Sequence, residues 1–460
     1  MSLSSNPSAI FLLEETERAE LWRELTRLLE EYIRGIRDLP ASSNPSPPSV
    51  RSLLSTVDFS RPMPPAEAVR FAAHSLARTQ VHTPHPRYYG LFNPTPATVS
   101  IAADALVAAF NPQLAVWRHN PFAVEVEQHL IRSFAALFGY DPSSADGTFT
   151  SGGSEANHTA LLVSLVHAFP YLESKGLRGL AAQPVLYVSA ESHHSFHKAA
   201  RLCGLGNGAV REIPVDDNLQ MQPAALESAI RADRRNGFAP FLVVGTVGTT
   251  NAGAIDPLSA IAEIAARDNL WFHADAAWGG AAAVVPELRP LLAGIERADS
   301  ITLDAHKWLS VPNGAGILLT RHPDILGHTF HVSAAYVPPK PGGPGIVDPY
   351  EHSIHWSRRF IGLKLFLSLL VAGWKGYAAV LRHMTAMGDE LRRRLQAAGW
   401  LVVESGRAWI STTRVRGNVT VLRACVTSYR TNPDDIAVLV QALEAARSAL
   451  KEGSAGSVSR

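Results

Sequence analysis

Hydrophobic positions near the start of the chain recur at the spacing of a helix. Between Leu21 and Ile36 apolar residues return every three or four positions, with Arg and Glu residues in the intervals. This pattern predicts an amphipathic helix over 21–36. The helix ends at Asp38-Leu39-Pro40, and a connector rich in Pro and Ser follows it. The apolar stripe has to be buried, either on the rest of its own chain or on a second subunit.

Between about Thr148 and Thr320, short apolar runs alternate with helical stretches. The pattern predicts buried strands at 184–188, 241–244, 270–273 and 317–319, and helices at 192–203, 223–235 and 257–267. Such alternation is typical of a mostly parallel sheet with helices on both faces, the α/β class. Ligands bind such sheets at the carboxyl ends of the strands, so the loops after these strands are the candidates for a functional site.

The last part of the chain predicts a small α+β domain. A helix is expected at 381–396, β-like runs at 408–412 and 419–426, and a final helix at 433–450. We therefore expect an N-terminal helical segment over 1–84, a large α/β domain over 85–375 and a small C-terminal domain over 376–460. The apolar run at 363–374 contains Lys364 and is too short to span a bilayer.

Composition narrows the class of protein. The 460 residues include 42 Lys and Arg against 41 Asp and Glu, so charge gives no reason to expect a nucleic-acid or membrane partner. A hydrophobic fraction of 46% excludes a mainly disordered chain. The two cysteines, Cys203 and Cys425, cannot form a disulfide framework, and the first residues lack the basic region of a signal peptide. We expect a soluble cytoplasmic enzyme.

A glycine pair precedes the apolar helix predicted at 159–169. Ser151-Gly152-Gly153-Ser154 places hydroxyls and small residues at a helix start, where free N–H groups and the helix dipole can hold a phosphate. An ordinary capped turn explains the same residues equally well. The glycine spacing fits neither a dinucleotide fingerprint nor a P-loop.

Two further motifs follow predicted strands. Asp275 comes directly after the run ending at His273, where it either caps the next helix or pairs with a protonated ring nitrogen beside the small Ala277. Lys307 lies between His306 and Trp308, and a lysine among apolar and cationic neighbours can act as an amine nucleophile toward an aldehyde. Phosphate cradle, acid and lysine, in this chain order, make the site expected for pyridoxal 5′-phosphate.

In order and spacing, the motifs SGGSEAN, HHSFHKAA, GTVGTT, HADAAWGG, DAHKWL and SRRFIGLKLF resemble the group II pyridoxal-phosphate-dependent amino-acid decarboxylases. The resemblance covers nearly the whole chain and is greatest to the aromatic-L-amino-acid branch. It implies the aspartate aminotransferase-like fold (fold type I), a homodimer with interlocked N-terminal helices, and decarboxylation of an L-amino acid to its amine and CO2.

The resemblance also implies roles for individual residues. Lys307 would form the internal aldimine, Asp275 would pair with the pyridine nitrogen and Ala277 would pack beneath the ring. His193 would stack on the other face of the ring and contact the substrate carboxylate. The remaining cofactor contacts would come from Ser151, Gly152, Thr246 and His306.

The resemblance also implies a tyrosine that donates the proton to the substrate α-carbon, and its best match is Tyr336, at the edge of the loop rich in Pro and Gly at 337–349. Phe92 and Trp117 are candidate substrate-pocket residues, although clustered aromatic residues equally suit a plain core. Arg358 matches an arginine that meets the substrate carboxylate in glutamate-specific relatives, and an Arg pair also occurs in aromatic-specific ones.

The sequence leaves alternatives open for metal binding, for the C-terminal domain and for the reaction. His193 and His197 lie at helical spacing, but no third ligand suggests a metal, so none is expected. The chain departs from the family near 403–405, where relatives have an additional strand and helix. The alternative functions are decarboxylation of glutamate, aspartate or 2,4-diaminobutyrate, aldehyde synthesis, transamination, and an inactive regulatory homologue.

Overall fold

The computed structural model describes residues 7–43, 45–332, 345–400, 412–415 and 419–455. The chain divides into two compact units, residues 1–88 and residues 89–460.

The first unit is helical. The helix predicted at 21–36 lies within the longest of its helices, which are α1 (Pro7–Leu12), α2 (Glu15–Gly35), α3 (Pro47–Leu54) and α4 (Pro65–Thr79). Helix α2 packs against α4, and Glu24 on α2 accepts a hydrogen bond from Arg70 on α4 at 3.0 Å. On the predicted stripe Leu28 and Ile36 are buried, whereas Leu29 is 41% exposed. This unit therefore covers only part of the apolar stripe.

The second unit contains the predicted α/β sheet. Its strand order is β2-β8-β7-β6-β5-β3-β4, with the strands β2 (Asp146–Thr150), β3 (Pro184–Ser189), β4 (Val210–Ile213), β5 (Ala239–Thr246), β6 (Trp271–Asp275), β7 (Ser300–Asp304) and β8 (Gly316–Thr320). All neighbouring pairs are parallel except those made by β8, which runs antiparallel to β2 and to β7. The four predicted strands fall on β3, β5, β6 and β8, so the mostly parallel sheet is confirmed.

Helices cover the sheet, and the three predicted ones are confirmed as α9, α10 and α11. Between residues 98 and 330 the α-helices are α5 (Thr98–Phe110), α6 (Pro121–Leu137), α7 (Gly153–Ala168), α8 (Leu172–Lys175), α9 (Ser195–Leu202), α10 (Pro223–Arg235), α11 (Leu258–Asp268) and α12 (Ile325–Phe330). A small antiparallel pair joins β1 (Gln113–Leu114) to β9 (Arg358–Arg359).

The reversed strand β8 brings distant parts of the chain together. Because β8 is antiparallel, its first residue, Gly316, pairs with Thr150 at the end of β2 and with Asp304 at the end of β7. A Cβ on Gly316 would lie 2.5 Å from Thr150 Oγ1 and 2.7 Å from the Gly152 backbone. Strand β8 thus holds the glycine turn beside the loop that carries Lys307.

Helix α13 (Leu363–Ala397) crosses the domain boundary expected at 375/376. It contains the run at 363–374 and, by length and composition alone, could cross a membrane. Gly373, with φ of 61°, interrupts its helical geometry, and Leu365 and Leu381 on either side are completely buried. The charge-poor part before Gly373 is shorter than the roughly 20 residues that a bilayer requires.

The C-terminal part contains a hairpin and a final helix. Strand β10 (Thr412–Val415) pairs antiparallel with β11 (Val419–Leu422), and α14 (Pro433–Ala455) contains the helix predicted at 433–450. The strand predicted at 419–426 is shorter than expected, since it ends at Leu422. The shortening expected near 403–405 lies outside the described residues.

Candidate active site

A pocket opens at the carboxyl ends of β2, β5, β6 and β7, the position expected for a ligand in this kind of sheet. Its cavity volume is about 330 Å³. All the predicted cofactor-binding residues line it, namely Ser151, Gly152, His193, Thr246, Asp275, Ala277, His306 and Lys307. Residues as far apart in the chain as Ser151 and Lys307 are thus brought into one cavity.

The glycine turn forms the amino end of helix α7. Gly153 begins the helix, so the N–H groups of its first turn have no acceptor within the helix. A Cβ on Gly152 would lie 3.3 Å from His306 Cε1, and one on Gly153 would lie 2.8 Å from Asp304 Oδ2. Ser151 donates its backbone N–H and its hydroxyl to Glu155 Oε2, at 3.0 and 2.6 Å. A larger residue at either position would therefore press on His306 or Asp304.

Asp275 is held by two donors at the end of β6. Asn157 Nδ2 donates to Oδ2 at 2.8 Å, and the Ala277 backbone N–H donates to Oδ1 at 3.2 Å. The carboxylate is only 4% exposed. It is therefore a fixed acceptor at the pocket, as pairing with a protonated ring nitrogen requires.

A buried histidine lies behind Asp275. Burial lowers the pKa of His273 to about 4, so its ring is neutral at pH 7. Asn157 Nδ2 donates to Ser195 Oγ and to Asp275 Oδ2, so the amide oxygen, which can only accept, is the atom that faces the histidine ring. The network therefore assigns the ring proton to Nε2, which lies 3.2 Å from Asn157 Oδ1. His273 orients Asn157, and Asn157 in turn orients Asp275.

His193 follows β3 in the turn before α9. Partial desolvation lowers the pKa of its ring, although solvent reaches the residue. Its Nδ1 accepts the Ser195 backbone N–H at 3.2 Å, so a neutral ring carries its proton on Nε2. The side chain thus offers the pocket a flat uncharged face and one N–H donor.

Lys307 lies in the connection between β7 and β8. Its Nζ is 2.9 Å from Asp304 Oδ2 and 5.7 Å from the centre of the Phe92 ring. Desolvation lowers the pKa of the neighbouring His306. His306 Nδ1 lies 3.2 Å from the Ala315 nitrogen and 3.1 Å from the Ala315 carbonyl oxygen, and these backbone contacts fix the ring beside the glycine turn. An amine and an anion cradle therefore share one wall of the cavity.

Of the three substrate residues expected from the sequence, one lines the pocket and two do not. Phe92 lines the pocket, whereas Trp117 and Arg358 do not belong to its lining. Arg358 instead makes two hydrogen bonds to Glu127, at 3.0 and 2.6 Å, with both side chains almost fully buried. Trp117 donates its indole N–H to Glu125 at 2.8 Å. Both residues thus have structural partners away from the pocket, and Tyr336 lies outside the described residues.

Several pocket residues were not predicted, among them Asn157, Trp278 and Asp304. Asn157 lies one helical turn after Gly153, a spacing that puts both on the same side of α7. Asp304 lies three residues before Lys307 within the DAHKWL motif. These spacings were visible in the sequence, but the burial of both side chains was not.

His197, at helical spacing from His193, has a partner on the sheet. His197 Nε2 lies 2.9 Å from Glu212 Oε1 on the neighbouring strand. Within the part of the chain that the structure describes, no group of three or more His, Cys, Asp and Glu side chains is arranged to hold a metal ion.

The donor set of the pocket fits pyridoxal 5′-phosphate. The glycine turn and His306 suit a phosphate, Asp275 suits a pyridinium nitrogen, and Lys307 suits an aldehyde. The small Ala277 leaves space for a flat ring beside Asp275. The phosphate, the ring nitrogen and the aldehyde of the cofactor thus each have a chemically matched residue.

Comparison with known proteins agrees with this donor set. Residues 57–405 match the model of the pyridoxal-dependent decarboxylase conserved domain. The chain is 30% identical to the aromatic-L-amino-acid decarboxylase of Bacillus atrophaeus, over 87% of this chain and 82% of that protein. It is 33% identical to the L-2,4-diaminobutyrate decarboxylase of Rhizobium meliloti, over 73% of this chain and 65% of that protein.

The fold is also that of solved structures. The crystal structure of Oryza sativa TDC with pyridoxal phosphate and tryptamine superposes with a TM-score of 0.87 at 23% identity. The superposition covers 95% of this chain and 99% of that one. The expected fold type I architecture is thereby confirmed.

Proposed function

The chain belongs to the pyridoxal-dependent decarboxylase family, and we propose that it converts an aromatic L-amino acid to the corresponding amine and CO2. Its relatives act on different amino acids, as the names of the Bacillus and Rhizobium enzymes state. The choice of substrate therefore depends on the pocket itself.

An aromatic wall carries this proposal. The Phe92 and Trp278 ring centres are 5.2 Å apart, and Trp278 stacks on Trp308 at 5.1 Å with an interplanar angle of 19°. Aromatic rings pack favourably against one another in such offset arrangements. Among the described residues that line the pocket there is no arginine to pair with a second carboxylate on the substrate. Both features favour an aromatic side chain over an acidic one.

The residues of the pocket have different chemical roles in the proposed reaction. Pyridoxal 5′-phosphate, when bound, supplies an aldehyde and an electron-withdrawing ring. Asp275, fixed by Asn157 and Ala277, holds a proton at the ring nitrogen. Lys307 provides the amine, and His193 provides an uncharged N–H donor that can meet a carboxylate.

The test of substrate class is a panel of L-amino acids with added cofactor, assayed for amine formation. The panel contains Tyr, Trp, DOPA, Phe, His, Glu, Asp and 2,4-diaminobutyrate. We expect the aromatic members to have kcat/KM values at least roughly tenfold above the others, the size of effect that one well-fitted side-chain pocket supplies. A preference for Glu, Asp or 2,4-diaminobutyrate would contradict the proposal.

Phe92→Ala gives a second measurement on the same pocket. Loss of the ring should lower kcat/KM for the aromatic substrates by roughly tenfold or more, since a buried phenyl contact is removed. Phe110→Ala is the control, because Phe110 is 82% exposed and does not line the pocket. Equal losses in both variants would speak against a substrate role for Phe92.

We also propose that Tyr336 delivers the proton to the substrate α-carbon. This role follows from the resemblance of the motifs alone. Tyr336→Phe should divert the product toward an aldehyde and ammonia, with dioxygen as oxidant, and product analysis with labelled amino acid would detect the change. An unchanged amine yield would contradict the assignment.

The same product analysis on the wild type tests the alternative functions. Labelled CO2 with a retained amine would exclude transamination, aldehyde synthesis and an inactive homologue.

The assembly proposed is a homodimer in the cytoplasm. Support comes from the first unit, where the apolar side chains Trp22 and Leu29 on α2 are 55% and 41% exposed. Light scattering on the purified chain should give twice the monomer mass of 49.6 kDa. Trp22→Glu should shift the protein toward the monomer, and a monomeric wild type would refute the dimer.

A further inference from the structure

Asp304 places an unexpected charge in the pocket. It is the last residue of β7, and its backbone N–H donates to the Ala277 carbonyl at 3.0 Å, so its backbone is fixed against the loop after β6. Its side chain is only 2% exposed. A buried carboxylate is costly unless it has compensating partners.

The partners of Asp304 are the groups that would also bind the cofactor. Oδ2 lies 2.9 Å from Lys307 Nζ and 4.0 Å from His306 Nε2. The same oxygen lies 2.8 Å from the position of a Cβ on Gly153, at the amino end of α7. That helix end carries a partial positive charge, which compensates a nearby anion.

Asp304 therefore occupies the edge of the anion cradle. An incoming phosphate at the Ser151–Gly153 turn would share the helix terminus and His306 with a carboxylate that is already present. Like charges this close in a desolvated pocket repel each other. A neutral side chain of the same shape would keep the contact with Lys307 without the repulsion.

We propose that Asp304 is a positioning residue for Lys307 whose carboxylate limits the affinity of the pocket for the cofactor's phosphate. Its oxygen holds the Lys307 amine in the pocket, and its charge opposes the phosphate. The effect belongs to cofactor binding and does not depend on which amino acid is the substrate. Failure of the substrate panel would therefore leave it untouched.

The test uses ligands that cannot react with Lys307. Pyridoxine 5′-phosphate carries an alcohol in place of the aldehyde, and pyridoxine lacks the phosphate as well. Binding can be followed by quenching of tryptophan fluorescence, since Trp278 lines the pocket and Trp308 stacks on it. The comparison between the two ligands isolates the contribution of the phosphate.

Asp304→Asn should lower the dissociation constant for pyridoxine 5′-phosphate by roughly tenfold or more, as expected when one like charge near an anion is removed. Binding of pyridoxine should change by less than about threefold, because it brings no phosphate to the cradle. Asp233→Asn is the matched control. Asp233 is also a buried acid with a cationic partner, Arg211 at 2.9 Å, but it does not line the pocket.

Positioning of Lys307 requires a separate readout. With pyridoxal 5′-phosphate, the absorbance band near 420 nm, typical of the lysine adduct, should form more slowly in Asp304→Ala than in Asp304→Asn. Only Asn keeps an oxygen acceptor for the amine. Equal rates in the two variants would overturn the positioning role.

A separate result would contradict the claim that the charge of Asp304 weakens phosphate binding. Unchanged or weaker binding of pyridoxine 5′-phosphate by a folded Asp304→Asn protein would overturn it. If that variant does not fold, as judged by circular dichroism, Asp304→Ser removes the same charge with a smaller polar side chain and must tighten binding. An equal tightening in Asp233→Asn would show that net charge alone is responsible, which also refutes the proposal.

Discussion

His273 illustrates how a residue outside the pocket can control it. Its ring is completely buried, and from Nε2 it orients Asp275 through Asn157. The pKa of about 4 in the folded protein lies below the ordinary value of 6.5. Between these values the unfolded chain binds the proton more tightly, so acid favours unfolding.

We therefore expect His273 to make the protein acid-sensitive. Its contribution to stability is complete above pH 6.5 and is lost as the pH falls toward 4, by about 3 kcal/mol in total. Urea unfolding at pH 7.5 and pH 4.5 measures it. His273→Gln, which retains a donor but cannot become charged, should lose less stability than the wild type over this interval. Equal losses would show that His273 does not titrate as the structure implies.

At the residue scale, the sequence motifs predicted residues that lie together in one pocket, but they did not predict the hydrogen-bond partners of these side chains. Lys307, Asp275 and His193 carry recognisable chemistry in recognisable motifs, and all three line the pocket. Arg358, expected from the resemblance to be a substrate residue, lies outside the pocket lining, and its guanidinium binds Glu127, 231 positions earlier. Long-range ion pairs of this kind leave no local signal in the sequence.

The buried ion pair between Arg358 and Glu127 connects strand β9 to helix α6. Glu127 Oε1 also accepts the backbone N–H groups of Ile361 and Gly362, at 3.1 and 3.0 Å, just before α13. One carboxylate thus satisfies several donors around the start of the longest helix described. Removing its charged partner would leave it buried and only partly compensated.

Arg358→Ala should therefore destabilise the protein by about 3–5 kcal/mol, the usual cost of breaking a buried ion pair from one side. Arg393→Ala is the control, because the Arg393 side chain is 68% exposed in its pair with Glu390, and it should change stability by less than about 1 kcal/mol. Denaturant unfolding compares the two. A loss of substrate affinity in Arg358→Ala at unchanged stability would restore its substrate role.

Strand β8 has a glycine requirement at its first residue. Gly316→Ala would place a Cβ against the backbone of Gly152, which cannot move without opening the cradle. We expect a loss of about 1–3 kcal/mol, the usual cost of overpacking, together with weaker cofactor binding. Gly208→Ala, where a Cβ would meet open space, is the control. Thermal melts and cofactor titration of both variants check the expectation, and equal behaviour would contradict it.

Periodicity predicted most elements of the sheet but not its topology. The runs at 241–244 and 317–319 were assigned as strands correctly, yet nothing in them indicates that β8 runs against its neighbours. Strand direction is determined by the connections and by packing across the sheet. Periodicity also did not show that the apolar run at 363–374 and the helix predicted at 381–396 form one element, α13, with an interruption at Gly373.

For the whole molecule, cofactor and stability should be linked. A ligand that binds only the folded state adds about 2.7 kcal/mol to the free energy of unfolding at 100 times its dissociation constant. Unfolding midpoints with and without pyridoxal 5′-phosphate should therefore differ. Lys307→Ala should show a smaller shift and lack the band near 420 nm, because the covalent attachment is lost. Identical shifts in both proteins would argue against Lys307 as the attachment point.

The position of β8 between β2 and β7 also constrains biosynthesis. Strand β2 and the glycine turn leave the ribosome early, but their partner strand is translated only after every other strand of the main sheet. Until then β2 has no neighbour in the sheet, and an unpaired strand is prone to non-native association. Capture of the vitamin B6 cofactor must therefore follow translation of residue 320, and a chain that stops earlier would be left without it.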